Sequence, residues 1–127
     1  MKKIIHTNHA PGAIGPYSQA VEANGFLFIS GQIPVNPITG QIVDGGIEEQ
    51  TRQVLENIKA IMQEAGYGPE SVVKSTCLLS DMENFTAMNK IYGEYYTENH
   101  PARAAYGVVK LPLGVLIEIE TIAAKPM

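Results

Sequence analysis

The sequence predicts one α/β domain over residues 1–127, an α+β arrangement in which two helices cover one face of a mixed β-sheet. The length suits a single domain of ordinary size. Two segments repeat apolar residues at helical spacing. The segments around them are rich in β-branched residues and are bounded by short turns that contain glycine and proline.

The first half of the chain predicts a hairpin followed by a helix. Residues 18–33 hold two strand-like runs around Asn24-Gly25, a dipeptide typical of tight hairpin turns, and residues 2–6 add a short strand before them. A helix is predicted over residues 47–66, where Gly66 is suited to end it. Its apolar stripe consists of Ile47, Val54, Leu55, Ile58, Ile61, Met62 and Ala65.

The next segments predict a strand and a second helix. Residues 71–80 are rich in β-branched side chains, which favour a strand. Residues 81–99 have the spacing of a helix that Asp81 or Asn84 would cap. The apolar stripe of this helix consists of Phe85, Met88, Tyr92 and Tyr95.

The predicted order ββ-α-β-α-ββ determines how the sheet is covered. Each helix joins strands that can lie parallel, and two right-handed crossovers place both helices on the same face. The other face stays bare although it carries many apolar residues, and a bare apolar face of this size needs a partner. We therefore expect an oligomer with pockets at the edges between subunits.

The end of the chain places charged residues where apolar strand residues are expected. We predict a closing hairpin of about residues 103–109 and 115–124, whose register puts Arg103, Glu118 and Glu120 on one face. An arginine fork matches a carboxylate in two-point contact, and a nearby glutamate can act as general base on water. The alternative is a solvated edge with a surface salt bridge.

Three other positions are candidates for contact with a small ligand. Ser30-Gly31 ends a predicted strand, where glycine permits close approach to the backbone, although a plain strand end or bulge has the same pattern. Tyr17 stands in a rigid loop and can cover a planar substrate or simply pack. Asn89 lies inside a predicted helix, where it either bonds a ligand or a neighbouring loop or is merely exposed.

Composition excludes several classes of function. The formal net charge is −4 and the basic residues are scattered, so nucleic acid is not expected as a partner. The chain has one cysteine, Cys77, which we interpret as a buried inert thiol, and three isolated histidines, so neither a disulfide nor a metal site is expected. No apolar run approaches the roughly 20 residues of a membrane span, and the start lacks a signal-peptide core, so a cytoplasmic protein is expected.

Several motifs together resemble the reactive intermediate deaminase family, known as RidA or YjgF. They are GAIGPYSQ, FISGQIP, EQTRQVLENIKAIMQEAG, PARAA and IEIETIAA, and the resemblance runs from about residue 3 to residue 125. It implies a chorismate-mutase-like fold and a homotrimer with a central barrel-like core and clefts between subunits. It also implies hydrolysis of 2-imino acids and enamines, such as 2-iminobutanoate and 2-iminopropanoate, to 2-oxo acids and ammonia, without cofactor or metal.

The resemblance also assigns roles to residues. Arg103 would bind the substrate carboxylate and Glu118 would position the attacking water, as catalytic residues. The substrate would further contact Tyr17, Ser30, Gly31, Asn89 and Ala105. Ala105 replaces a cysteine found in many members, so only its backbone would serve, and no role is implied for Glu120.

Two other functions stay open. One is a non-catalytic regulatory protein that binds small oxo acids on the same fold, for which the arginine alone would suffice. The other is a ribonuclease or RNA-binding module, which the acidic balance disfavours. The preferred imine, the catalytic rate, the effect of Ala105 and any partner enzyme are not given by the sequence.

Overall fold

Six strands and two α-helices make up the protein, according to a computed structural model that describes residues 1–126. The strands are β1 (Lys3–Ile5), β2 (Ala20–Ala23), β3 (Phe26–Gln32), β4 (Val72–Leu79), β5 (Ala102–Gly107) and β6 (Ile117–Ala124), and the helices are α1 (Ile47–Ala65) and α2 (Phe85–Tyr95). Their order along the chain confirms the predicted order of strands and helices.

Helix α1 forms where the apolar stripe was predicted. Its first turn carries Glu48 and Glu49, whose charges suit the positive end of the helix dipole. Gly66 ends the helix with φ of 83°, a left-handed conformation that glycine adopts without steric cost. The face turned to the sheet buries Val54, Leu55, Ile58, Ile61 and Met62.

Helix α2 is shorter than predicted at both ends, because a 3₁₀ turn over residues 82–84 precedes it and the helix stops at Tyr95. Asp81 caps that turn, since its carboxylate accepts a hydrogen bond from the backbone N–H of Glu83 at 2.9 Å. The helix buries Met88, Ile91 and Tyr92 against the core.

The predicted tight hairpin joins β2 and β3. Asn24 and Gly25 have φ of 51° and 79°, the pair of positive values that a two-residue hairpin turn of this kind requires. Strands β2 and β3 pair antiparallel, and β1 pairs antiparallel with β2 at the edge of the sheet.

The predicted closing hairpin is wrong. The sheet has the order β1-β2-β3-β6-β4-β5, so β4 lies between β5 and β6. The crossover through α2 returns the chain beside β4, where β5 pairs in parallel. Residues 108–116 then cross the end of β4, with backbone bonds from Val108 N–H to the Leu79 carbonyl at 2.8 Å and from Ser80 N–H to the Leu116 carbonyl at 3.1 Å.

The two faces of the sheet differ as predicted. Strand β6 buries Ile117, Ile119, Thr121 and Ala123 under the helices, while Glu118, Glu120, Ile122 and Ala124 point to the other face. That bare face exposes Phe26 and Phe28 to 43% and 46% of their full areas. The oligomer that would cover it stays a prediction.

Among residues 1–126, neither helix combines the length and apolar character that crossing a bilayer requires. Within the same range, the structure brings together no group of three side chains able to ligate a metal ion.

Candidate functional site

The predicted site residues other than Ala105 fall into two separate clefts. The first, of about 650 Å³, is lined by Ile14, Tyr17, Ser30, Gly31, Ile33, Pro112, Leu113, Glu118 and Glu120. The second, of about 430 Å³, is lined by Asn89, Tyr92, Gly93, His100, Pro101 and Arg103. We call them the glutamate cleft and the arginine cleft.

A β-bulge shapes the glutamate cleft. Ile29 pairs with Thr121 and Gln32 pairs with Ile119, so β3 has one extra residue at Ser30-Gly31. The bulge lets the Glu118 side chain lie directly against the Cα of Gly31. A Cβ built on Gly31 would stand 2.9 Å from Cδ of Glu118 and still closer to Oε2, so only glycine leaves room for this carboxylate.

Ser30 holds the neighbouring loop in place. Its hydroxyl donates a hydrogen bond to the Ser18 carbonyl at 2.6 Å, and its backbone N–H donates to the Gln19 carbonyl at 3.0 Å. The Ser30 side chain is therefore used within the protein, and what it adds to the cleft is the position of the loop that carries Tyr17.

Gln19 is the main anchor of that loop, a role that no motif in the sequence predicted. Its side-chain oxygen accepts from Thr7 N–H at 2.7 Å, and its side-chain nitrogen donates to the carbonyls of Thr7, Ala10 and Pro11 at 3.0, 3.3 and 2.8 Å. Gln19 is buried, so these bonds are shielded from water. A glutamine just before a strand, at the end of a loop rich in proline and glycine, was the available signal.

Tyr17 lines the cleft from this loop and stays half exposed, at 53%. Its hydroxyl accepts a hydrogen bond from Ile14 N–H at 3.3 Å. The ring is therefore presented at the cleft with its orientation fixed through its own loop.

Glu118 has a raised pKa for two reasons. Partial burial raises it most, because a carboxylate loses solvation there, and repulsion from Glu120 raises it further. A carboxyl with a raised pKa is a stronger proton acceptor once ionised, which is the property of a general base.

Arg103 projects from edge strand β5 toward helix α2. Its Nη1 donates a hydrogen bond to Oδ1 of Asn89 at 2.6 Å. Its guanidinium carbon lies 5.5 Å from the ring centroid of Phe85 and 4.9 Å from that of Tyr92. Both distances suit cation–π attraction, so three side chains of one helix orient the guanidinium.

Phe85 and Tyr92 thus contact Arg103 as well as packing in the core. Asn89 is exposed and bonds Arg103 of strand β5, so its partner is neither the ligand nor the neighbouring loop that was expected. Phe85 and Tyr92 were predicted only as core residues, because an apolar stripe at helical spacing looks the same whether or not it also faces a cation. His100, one of the three isolated histidines, also lines this cleft.

The prediction that Arg103 and Glu118 share a face is wrong within one chain. Arg103 pairs with Ser75, and Ser75 pairs with Thr121, so these three point to the helix-covered face. Side chains alternate along a strand, and Glu118 lies an odd number of positions, three, from Thr121. Glu118 therefore points to the bare face. The inserted strand β4 changes the register that the predicted hairpin would have had.

Two further residues lie on the helix-covered face near Arg103. Ala105, two residues along β5, is partly buried against the core and pairs with Cys77. Cys77 is fully buried, and burial raises the pKa of its thiol to about 11 despite the opposing effect of Arg103. This confirms that Cys77 is buried, and the raised pKa agrees with its interpretation as an inert thiol.

Comparison with known proteins identifies a family. The sequence model described as Endoribonuclease L-PSP matches residues 7–125. A RutC family protein of Pyrococcus horikoshii is 58% identical, and the match covers 98% of this chain and 99% of that protein. The human 2-iminobutanoate/2-iminopropanoate deaminase is 49% identical over 97% of this chain and 90% of its own length. The crystal structure of the Rid family protein YyfA from Yersinia pestis has a TM-score of 0.94 at 47% identity, covering 98% of this chain and 100% of that one.

Replacing Gly31 by alanine should displace the Glu118 side chain without unfolding the protein. The added Cβ meets the end of a flexible side chain, which can rotate away. A crystal structure of Gly31→Ala should show the carboxylate turned out of the cleft, with a thermal midpoint within a few degrees of the parent. Gly12→Ala is the control, because nothing lies within 4 Å of a Cβ built there. An unmoved carboxylate in folded Gly31→Ala would contradict the steric argument.

Glu120→Gln should lower the pKa of Glu118, because it removes the repulsion that helps to raise it. The pKa should nevertheless stay above 4.5, since burial is the larger cause. A carbon-detected NMR titration of the Glu118 carboxyl measures both values. A pKa that is unchanged or higher in the variant would show that Glu120 does not act on Glu118.

The raised pKa of Glu118 predicts how the free energy of unfolding changes with pH. The folded chain binds the Glu118 proton more tightly than the unfolded chain, so ionised Glu118 lowers the free energy of unfolding. This destabilisation is absent below pH 4.5, grows as the pH rises toward the raised pKa, and is complete above it.

Proposed function

Because the chain belongs to the RidA/YjgF family, whose sequence model is described as Endoribonuclease L-PSP, we propose that it is a hydrolytic deaminase of reactive 2-imino acids and enamines. The substrates would include 2-iminobutanoate and 2-iminopropanoate, and the products would be the 2-oxo acid and ammonia. The observation that carries this proposal is a pair of oriented charged side chains. Glu118 lies against Gly31 in one cleft and has a raised pKa, and Arg103 is hydrogen-bonded to Asn89 in the other cleft.

The proposed chemistry uses each charge once. Arg103 binds the substrate carboxylate in two-point contact, which fixes the orientation of the imine carbon. Glu118 takes one proton from water as the water oxygen attacks that carbon and passes it to the imine nitrogen, which gives a tetrahedral carbinolamine. Glu118 then takes the proton of the new hydroxyl and transfers it to the same nitrogen while the C–N bond breaks, so that ammonia leaves and the carbonyl of the 2-oxo acid remains.

This chemistry requires two copies of the chain, since Arg103 and Glu118 of one copy point to opposite faces of its sheet. We propose a homotrimer in which the arginine cleft of one copy faces the glutamate cleft of the next. A ring of this kind buries the same two surfaces at every junction. It would also cover the bare sheet face, where Phe26 and Phe28 are each more than 40% exposed.

Two other functions are less well supported than the deaminase. A non-catalytic binder of 2-oxo acids would need Arg103 but no base, so Glu118 in its tight place against Gly31 favours catalysis. A ribonuclease is suggested by the family model's description. The net charge of −4 opposes binding to the phosphate backbone of RNA. RNA cleavage by the pure protein that weakens as salt is added would support the ribonuclease function instead.

Arg103→Ala should remove most of the activity. The loss of two charge-assisted hydrogen bonds to a carboxylate corresponds to about 3 kcal/mol, or roughly a hundredfold in kcat/KM. A threonine dehydratase supplies the imine, and release of 2-oxobutanoate is followed with and without this protein. Arg52→Ala is the matched control, because Arg52 is exposed and forms a surface ion pair with Glu94 away from both clefts.

Glu118→Gln completes the same experiment. It should still bind 2-oxobutanoate by calorimetry, since Arg103 is intact, while turnover falls by about 10²–10⁴. Full acceleration by Arg103→Ala would remove the carboxylate clamp from the proposal. Full turnover by Glu118→Gln would leave a binding protein or a different base.

A further inference from the structure

Two exposed apolar side chains stand at the glutamate cleft. Ile14 is 90% exposed and Leu113 is 75% exposed, and both line this cleft beside Glu118. Ile33 and Pro112 extend the same apolar wall. A single exposed apolar residue is ordinary, but several around one cleft with a carboxylate mark a surface that receives an apolar group.

Leu113 is displayed at a cost in backbone conformation. Its φ of 57° and ψ of 19° lie in the left-handed region, where a residue with a side chain is disfavoured. Gly114, with φ of 68°, follows it in the 3₁₀ turn over residues 112–114 that leads into β6. Glycine would fit position 113 without strain, so the presence of leucine indicates a use for the side chain.

Ile14 is presented by a fixed loop. Its N–H donates to the Tyr17 hydroxyl, and the Gln19 side chain holds the preceding segment by donating to the Thr7 and Pro11 carbonyls. The two apolar side chains therefore come from two independent turns that both border the Glu118 carboxylate.

We propose that Ile14 and Leu113 are specificity-determining residues, which form the apolar wall that receives the hydrocarbon side chain of the imino acid. The inference rests on the proposed deaminase function. With the substrate carboxylate on Arg103 and the reacting carbon at Glu118, the side chain is the part of the substrate still to be placed. Longer apolar side chains are then better substrates than a methyl group.

The size and charge of the cleft fit that substrate class. A cavity of about 650 Å³ is much larger than a three- or four-carbon acid needs, so it has room for a longer chain. Glu118 and Glu120 both border it, so an acidic side chain is repelled there. The predicted preference is therefore for imino acids with linear or branched hydrocarbon side chains.

The test is a series of imines generated by an L-amino acid oxidase from alanine, 2-aminobutyrate, norvaline, norleucine and glutamate, with semicarbazide as competing trap. For the parent, kcat/KM should rise along the apolar series and be lowest for the glutamate-derived imine. In Leu113→Gly and Ile14→Ala, kcat/KM for the norleucine-derived imine should fall about tenfold or more. For the alanine-derived imine it should change less than about twofold, since no methylene reaches the wall.

Two controls separate this effect from damage to the fold. Leu113→Gly relieves the left-handed strain, so its thermal midpoint should not fall. Val109→Ala truncates an apolar residue that is 98% exposed in the same connection but does not line the cleft, and it should leave the whole series unchanged. Equal losses along the series, or no loss with the norleucine-derived imine, would overturn the assignment.

Failure of the proposed function has a different signature. If the parent accelerates the hydrolysis of no imine at all, the deaminase proposal is wrong. The apolar wall is then tested by calorimetry with pyruvate, 2-oxobutanoate and 2-oxohexanoate. Affinity that rises with chain length in the parent but not in Leu113→Gly supports the wall. Affinity independent of chain length, or no binding, overturns it.

Discussion

The pairing of β6 between β3 and β4 is the constraint on which the site depends. It fixes which residues of β6 meet the helices and which meet the bare face, because side chains alternate along a strand. Glu118 consequently reaches the bulge of β3, and Arg103, two strands away on β5, reaches helix α2 instead. One pairing pattern thus places the two charged side chains in separate clefts of the chain.

Each of the two charged side chains is held in position by neighbouring residues of the chain. Glu118 lies against Gly31, a position that only a residue without Cβ permits, and Arg103 is held by Asn89 between two aromatic rings. Side chains fixed in this way need little reorganisation during a reaction. Such preorganisation is the largest single contribution to catalysis in many active sites. The left-handed backbone at Leu113 is a further local strain beside the same cleft, and it motivates the specificity role proposed for this residue.

Local sequence signals predicted the elements but not their long-range pairing. The Asn24-Gly25 turn and Gly66 at the end of α1 were readable because each depends on a few adjacent residues. The prediction of a closing hairpin was wrong because a short loop between two strand-like segments does not reveal that β4 lies between them in the sheet. Gln19 and the aromatic pair around Arg103 were missed because their partners are distant in sequence or because core packing explains the same pattern.

The most direct measurement mixes two inactive variants. Arg103→Ala and Glu118→Gln chains are unfolded together and refolded, and mixed oligomers are verified by native mass spectrometry. If each site takes its arginine from one copy and its glutamate from the next, random three-membered rings regain about a quarter of the parent activity. If both groups act within one chain, no site is complete, and verified mixed oligomers no more active than the two variants alone would contradict the account.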